Sequence, residues 1–312
     1  MSTRLSTIAT SAWLRNYSQG AALSNVGKLA QFLAPTVNVS SPRFRYWKYD
    51  DQNRFKIIDT RRALHGGAKQ YFMGGVEQSG ELEAHALDYP IDEVEQMADD
   101  TLQNTAKEGA DETAHVFGLA HEKEVVDKAL TAVGPGTDIN VASSSVDVVD
   151  EFDKAIINLT KTAKLSSMHP IRMLFGPNAL RLLKNCESVR GRFKRGKGEQ
   201  GGVAPAVSDL LSLLIGDPEA MMTLSIYDSA QEGLTPNVDF MIDNSVLIFV
   251  GSNNPTRRDP SFMKTFRIRD SYMTPGTYRS QDGRVEFLKF DDLRLVAVTN
   301  SAACVRLNLK TT

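Results

Sequence analysis

The sequence predicts an α+β chain, and three observations carry that reading. Apolar residues step by three and four in some stretches and alternate in others, so helices and strands interleave. The stretch Tyr89–Val133 keeps a helical pattern for over forty residues under heavy negative charge. Ahead of it, residues 46–84 read as a long two-stranded excursion with too little apolar content to build its own core.

The acidic stretch is assigned first. Pro90 suits the first helical position, where its missing N–H costs nothing, and Asp92, Glu93 and Glu95 suit the positive end of the helix dipole. Ile91, Val94, Ala98 and Leu102 form one apolar stripe. Gly109 is expected to bend or break the helix. A second segment resumes with Val116, Leu119, Val126, Leu130 and Val133 inward, Glu124 and Lys128 form a favourable i,i+4 pair, and Gly134-Pro135-Gly136 stops it.

In chain order, residues 1–20 are acid-free and extended-looking, and Ala21–Leu33 contains a short helix ended before Pro35. Arg43–Asp50 interleaves aromatic and basic residues, which suits a strand better than a stacking platform for single strands. Phe55–Thr60 and Gln70–Phe72 are further extended runs. Ser144 and Asp147 open a helix with Val148, Val149, Phe152, Ile156 and Leu159 inward. Ile171–Phe175 is a buried strand, and Pro177 and Pro205 each open a helix. Met222–Tyr227, Val246–Val250 and Phe262–Arg269 are strands, the last with Phe262, Phe266 and Ile268 on one face. Asp282-Gly283 marks a hairpin turn, after which Leu293, Leu295 and Ala297, then Val305, Leu307 and Leu309, alternate.

Composition bounds the rest. With 312 residues, 41 % hydrophobic and 24 % charged, the chain has the make-up of a soluble globular protein of one large or two moderate domains. No apolar run reaches the ~18–20 residues that span a bilayer. Cys186 and Cys304 stand apart with no CxxC spacing and read as reduced thiols of a cytosolic protein. The net charge of −2 hides a segregation: residues 1–49 hold six basic and no acidic residues, whereas residues 77–153 hold twenty acids against Lys107, Lys123 and Lys128. Such segments attract each other. They are either two solvated faces, or the arm of one subunit lying on a neighbour's acidic surface.

The motifs of catalysis are missing. Gly191–Lys197 matches GxxxxGK, but Gly198 follows where a phosphate-binding loop needs Ser or Thr, so a mobile basic loop is expected there. His115 and His121 lie six residues apart, about 120° around a helix, and cannot share a metal. There is no HExxH and no GxSxG. Asp99-Asp100 and Asp291-Asp292 are adjacent pairs whose side chains point apart. The reading is a protein that is not an enzyme, with no cofactor and no metal.

An arm, a long loop and a long helix without catalytic chemistry point to assembly, and here the order of several short motifs resembles a known family. These are Ile8-Ala9-Thr10, Ala34-Pro35-Thr36-Val37, Tyr46-Trp47-Lys48-Tyr49-Asp50, Arg61-Arg62-Ala63, Tyr71–Ile91, Gly176–Leu180, Val189–Lys197, Ser208–Leu211 and Pro260-Ser261-Phe262. Together they resemble the tailed-bacteriophage major capsid protein family, with the Johnson or Hong Kong 97-like fold. The resemblance implies an N-terminal arm (1–45), an extended β-hairpin loop (46–84) and a peripheral domain with a long spine helix (85–140). It further implies an axial domain (141–280) and C-terminal strands returning to the peripheral domain (281–312).

It also implies a subunit that assembles with itself as hexamers and pentamers into an icosahedral shell around double-stranded phage DNA, held without sequence specificity. The expected partners are a separate scaffolding protein, a portal and a decoration protein, with no membrane. The expected location is the virion, after assembly in the host cytoplasm. The candidate inter-subunit contacts are Arg4, Arg15, Arg43, Arg45, Trp47, Arg61, Arg62, Lys69, Asp99, Asp100, Arg190, Arg192, Lys194, Arg195 and Lys197. The alternatives are an encapsulin-like compartment and a nucleic-acid-binding module using residues 43–48 and 190–197.

Overall fold

In a computed structural model of the chain the longest element is a helix of 31 residues, Gln103–Val133. The structure describes residues 4–25, 28–48, 60–62, 64, 66–68, 70, 75–98, 103–143, 146–164, 170–197, 207–231, 233–269 and 271–311. The helices are α1 (Arg4–Ala9), α2 (Ala12–Asn25), α3 (Lys28–Leu33), α4 (Glu93–Ala98), α5 (Gln103–Val133), α6 (Val148–Thr162), α7 (Pro177–Asn185), α8 (Glu187–Lys197) and α9 (Val207–Leu211). The strands are β1 (Thr36–Val39), β2 (Arg43–Lys48), β3 (Val76–Glu81), β4 (Glu83–Asp92), β5 (Thr137–Asn140), β6 (Ile171–Phe175) and β7 (Glu219–Met222). They continue as β8 (Ile226–Asp228), β9 (Val238–Phe240), β10 (Ser245–Val250), β11 (Met263–Ile268), β12 (Thr274–Arg279), β13 (Val285–Val298) and β14 (Cys304–Lys310).

The chain divides into two units, the first made of residues 1–44, 79–128 and 264–297, the second of 45–78, 129–263 and 298–312. In the first unit the sheet runs β1-β11-β13-β12, with β4 also paired to β13. Its core joins Leu5, Ala9 and Leu14 of the first helices to Ile91, to Ala106, Ala110, Ala114 and Phe117 of α5, and to Leu288 and Phe290 of β13. The alanines recur at four-residue steps, so one face of α5 is shallow enough for α1 and α2 to lie close. The acid-free N-terminal residues, expected to be extended, instead form the two helices α1 and α2 and carry part of this core. Each fully buried leucine contributes roughly 1.5–3 kcal/mol.

The start of the acidic stretch differs from the expectation. Pro90 lies in β4, opposite Phe287, and the helix begins only at Glu93. Among the described residues β4 pairs with β13 alone, and an edge strand is where a residue without an N–H is tolerated. Nor does Gly109 break α5. A Cβ there would sit 2.7 Å from Cδ1 of Tyr89, so the glycine makes room for a ring packed across the helix.

In the second unit a sheet of order β5-β14-β10-β6-β7 lies against α6. β10 is buried along its whole length, and Val148, Val149, Phe152, Ile156 and Leu159 of α6 are buried as the spacing predicts. Asp147 caps α6 by accepting from Val149 N, and Pro177 opens α7. The run Met222–Tyr227 is not one strand: β7 ends at Met222 beside β6, while β8 starts at Ile226 and pairs with β9 in a separate ladder. Residues 191–197, expected to form a loop, are helical as part of α8. Glu187 stands in the first turn of α8, where the dipole favours an anion, and Val189 is fully buried.

The Tyr89–Gly109 contact gives a first test. Alanine normally stabilises a helix interior by about 1 kcal/mol over glycine. Here Gly109→Ala is expected to lower stability by about 1–2 kcal/mol in urea unfolding, because the added methyl overpacks the ring. In a Tyr89→Ala background the same change should become neutral or stabilising; equal effects in both backgrounds would exclude the contact.

Candidate assembly surfaces and a buried ion network

The predicted contact residues separate into those already paired within the chain and those left exposed. On the β2–β3 ladder, Arg43 Nε lies 3.1 Å from Glu81 Oε1 and Arg45 Nη1 3.3 Å from Glu77 Oε2. Both pairs are exposed, so each is worth about 0–1 kcal/mol, and they can be exchanged for a neighbour's acids at little cost. Trp47 donates its backbone N–H to the Arg257 carbonyl at 3.2 Å, and the Arg258 guanidinium sits 5.4 Å from its ring centroid. Arg15, Arg61 and Arg62 are exposed, and Arg15 and Arg62 have no carboxylate partner among the described residues. Arg190 donates to the Asn185 side chain at 2.7 Å, and Arg192 Nη2 pairs with Asp147 Oδ2 at 2.6 Å.

Arg4 belongs to α1, and Lys194, Arg195 and Lys197 belong to the last turns of α8. The helical geometry of 191–197 removes the phosphate-binding-loop reading, which requires an open loop. Lys69, Asp99, Asp100, His65, His169 and the runs Phe55–Asp59 and Tyr71–Gly74 lie outside the described residues. The acidic face of α5 is exposed at Glu108, Asp111 and Glu112, but Asp111 already accepts the Tyr17 hydroxyl at 2.9 Å. Lys107 lies 5.7 and 5.8 Å from the ring centroids of Trp13 and Tyr17, which stack on each other. This attraction between α2 and α5 is thus made inside one chain.

Sequence reasoning missed a buried ion network in the first unit. By residue order alone, β11 and β13 are simple alternations of apolar residues. Instead Met263–Arg267 is buried on both faces, because β11 lies between β1 and β13. On β13 the buried row is Glu286, Leu288, Phe290, Asp292, Arg294 and Val296, while Leu293 and Leu295 are half-buried. Asp292, fully buried, accepts from Arg267 Nη2 and from Arg294 Nη1, both at 3.1 Å. Arg294 Nε donates to Glu124 Oε2 at 3.0 Å, and Lys128 donates to the other Glu124 oxygen at 2.8 Å. The Arg267 guanidinium also lies 3.9 Å from the centroid of the Tyr272 ring. The legible signal was an Asp and an Arg two apart on one strand face, with Glu124 and Lys128 one helical turn apart elsewhere.

His121 adjoins this network. Thr265 Oγ1 gives its one proton to the Ala34 carbonyl at 3.1 Å, so it accepts from His121 Nε2–H, also at 3.1 Å. Nδ1 is then the unprotonated nitrogen, and it is buried without a partner among the described residues. Burial first, then Arg294 and Arg267, hold the His121 pKa well below the ordinary histidine value. His85 is shifted down as well, by burial and then by Arg294. Glu124 is held below the usual carboxylate value by Lys128 and Arg294, against the opposing effect of its burial.

Two tests follow from this geometry. Asp292→Ala leaves two arginines facing each other in the core and should cost roughly 3–5 kcal/mol, read by chemical unfolding. A loss under 1 kcal/mol would show that the arginines find water. For His121, the unfolded chain takes up a proton below pH ~6.5 while the folded chain resists it, so stability should fall as pH drops through and below that value. His121→Gln, which keeps an N–H for Thr265, should flatten the acid limb of the pH–stability profile. An unchanged limb would exclude the assignment.

Comparison with known proteins places this fold. No family model matches the sequence, and no curated protein matches it. Among solved structures, a phage-related protein from Bordetella bronchiseptica is similar at 15 % identity, over 96 % of this chain and 96 % of that one, with a TM-score of 0.69. A candidate capsid protein of an Escherichia coli CFT073 prophage is similar at 10 % identity, over 96 % and 98 %, with a TM-score of 0.55. The holo-SrpI encapsulin complex from Synechococcus elongatus is similar at 13 % identity, over 93 % and 90 %, with a TM-score of 0.54. The chain has the α+β fold of phage capsid proteins.

Proposed function

We propose that this chain is a major capsid protein, a structural subunit without catalysis. Its copies assemble as hexamers and pentamers into a closed icosahedral shell around double-stranded DNA. The observation that carries the reading is the fold, shared over 96 % or more of both chains with the phage-related and prophage proteins. At 10–15 % identity this likeness fixes shape and not activity, so the assembly reading also leans on the surfaces. Arg43 and Arg45 lie in weak exposed pairs, Arg15 and Arg62 present guanidinium groups without a carboxylate partner among the described residues, and the acids of α4 and α5 supply an opposite charge. In this reading Arg4, Arg61, Lys69, Asp99, Asp100, Lys194, Arg195 and Lys197 join them at contacts between subunits. A scaffolding protein, a portal and a decoration protein complete the particle, which assembles in the host cytoplasm and becomes part of the virion.

The encapsulin likeness favours a second reading, a compartment of the same fold that encloses protein cargo. The full chain, expressed alone and with the products of its neighbouring genes, should give closed shells of uniform size by electron microscopy. Monomers or irregular aggregates under both conditions would overturn the shell reading. Shells recovered from the cells that carry the gene should hold nuclease-protected double-stranded DNA; shells filled with a protein and free of DNA would decide for the compartment.

A further inference from the structure

The second unit carries an apolar surface that the fold leaves uncovered. β8 and β9 form a two-stranded antiparallel ladder with Ile226 opposite Phe240 and Asp228 opposite Val238. Those pairs share one face of the ladder, while Tyr227 and Asp239 share the other. Ile226, Phe240 and Val238 are 49, 40 and 55 % exposed, and the flanking Met222, Leu224 and Leu234 are 41, 60 and 66 % exposed. Ile226, Val238 and Phe240 share this face, and with the flanking residues six large apolar side chains stand exposed within nineteen residues, together on the order of 500 Å² of surface. A two-stranded ladder is also marginal in water unless something packs on it.

Charge narrows what that something is. From Gly198 to Thr256 the sequence holds no Lys, Arg or His, and eight acids. Asp228 sits on the apolar face itself, where it also accepts from the backbone of Ala230 and Asn237 at 2.9 Å. Nucleic acid and anionic membranes are repelled by such a segment. An apolar partner surface with basic residues at hand fits it, and this chain supplies such residues in its own second unit. Arg190 on α8 is exposed and has no carboxylate partner among the described residues, and the run from Arg190 to Lys197 holds five basic residues.

We propose that the apolar face of the β8–β9 hairpin is a contact surface for a second copy of this chain. The inference rests on the shell reading, and area supports it. Burying these side chains against an equal area on the neighbouring copy removes roughly 1,000 Å² from water, the lower limit for a specific interface. One such contact is too weak to hold an isolated dimer, but it suffices where contacts repeat around a closed assembly and each copy is held by its other neighbours.

The test places a photoreactive benzoylphenylalanine at position 238 of the full chain, in shells assembled from a mixture of ¹⁴N- and ¹⁵N-labelled copies. Mixed-isotope cross-linked peptides are expected. Cross-links confined to single copies, or joined to a different protein, would overturn the inference while the shells themselves stand; absence of shells from the unmodified chain would instead overturn the shell reading. In parallel, the Ile226→Asp/Phe240→Asp variant should keep the far-ultraviolet circular dichroism of the parent and lose at least ten-fold in shell yield. A folded variant with undiminished yield would also sink the proposal.

Discussion

The carboxylate of Asp292 is the constraint on which the first unit depends. It sits in the middle of β13 with no access to water and faces two guanidinium groups, one from β11 and one from its own strand. Glu124 continues the chain of charges to α5, and Lys128 closes it against the Val296 carbonyl. Arginine donors have fixed directions, so the network tolerates one register of β11 against β13 and one rotation of α5 over the sheet. Apolar residues of similar volume would stabilise at least as well, but would permit sliding. The gain is that specificity, a single seat for α5 on the sheet.

The same network sets the electrostatics around it. Arg267, Arg294 and Lys128 outnumber Asp292 and Glu124, so the site already carries an excess of positive charge. A further proton on His121 is therefore opposed by both charge and burial, and the imidazole is held neutral with Nε2–H toward Thr265. Thr265 passes its own proton to Ala34, just ahead of β1. A short hydrogen-bonded chain thus ties α5, β11 and the segment entering β1.

The opposite-signed segments seen in the sequence are resolved differently in different places. Arg43 and Arg45 find acids across their own ladder, and Lys107 sits over Trp13 and Tyr17. Residues 198–256 contain no basic group of their own, although Glu219 pairs with Arg172 of β6 at 2.8 Å, and they hold the most exposed apolar ladder of the second unit. The chain therefore offers different chemistry in different places: exchangeable charge on the β2–β3 ladder and uncovered apolar surface on the β8–β9 ladder.

Local periodicity sufficed for much of the chain. The inward face of α6, the Pro177 start of α7, the buried strands around Ile171–Phe175 and Val246–Val250, and the turn at Gly283 with its positive φ of 74° could all be read from residue order. These features depend on neighbours within a few positions. The segregation of charge along the chain and the lack of catalytic spacing were likewise properties of the sequence alone. Tertiary structure decided the rest. Pro90 belongs to a strand because it pairs with β13, and Gly109 stands inside an unbroken helix because Tyr89 fills the space a side chain would take. Asp292 and Arg294 turn inward, where Leu293 and Leu295 were expected, because partners up to 170 residues away supply the opposite charges. A strand's alternation tells which residues share a face, but only the elements packed on either side determine which face is buried.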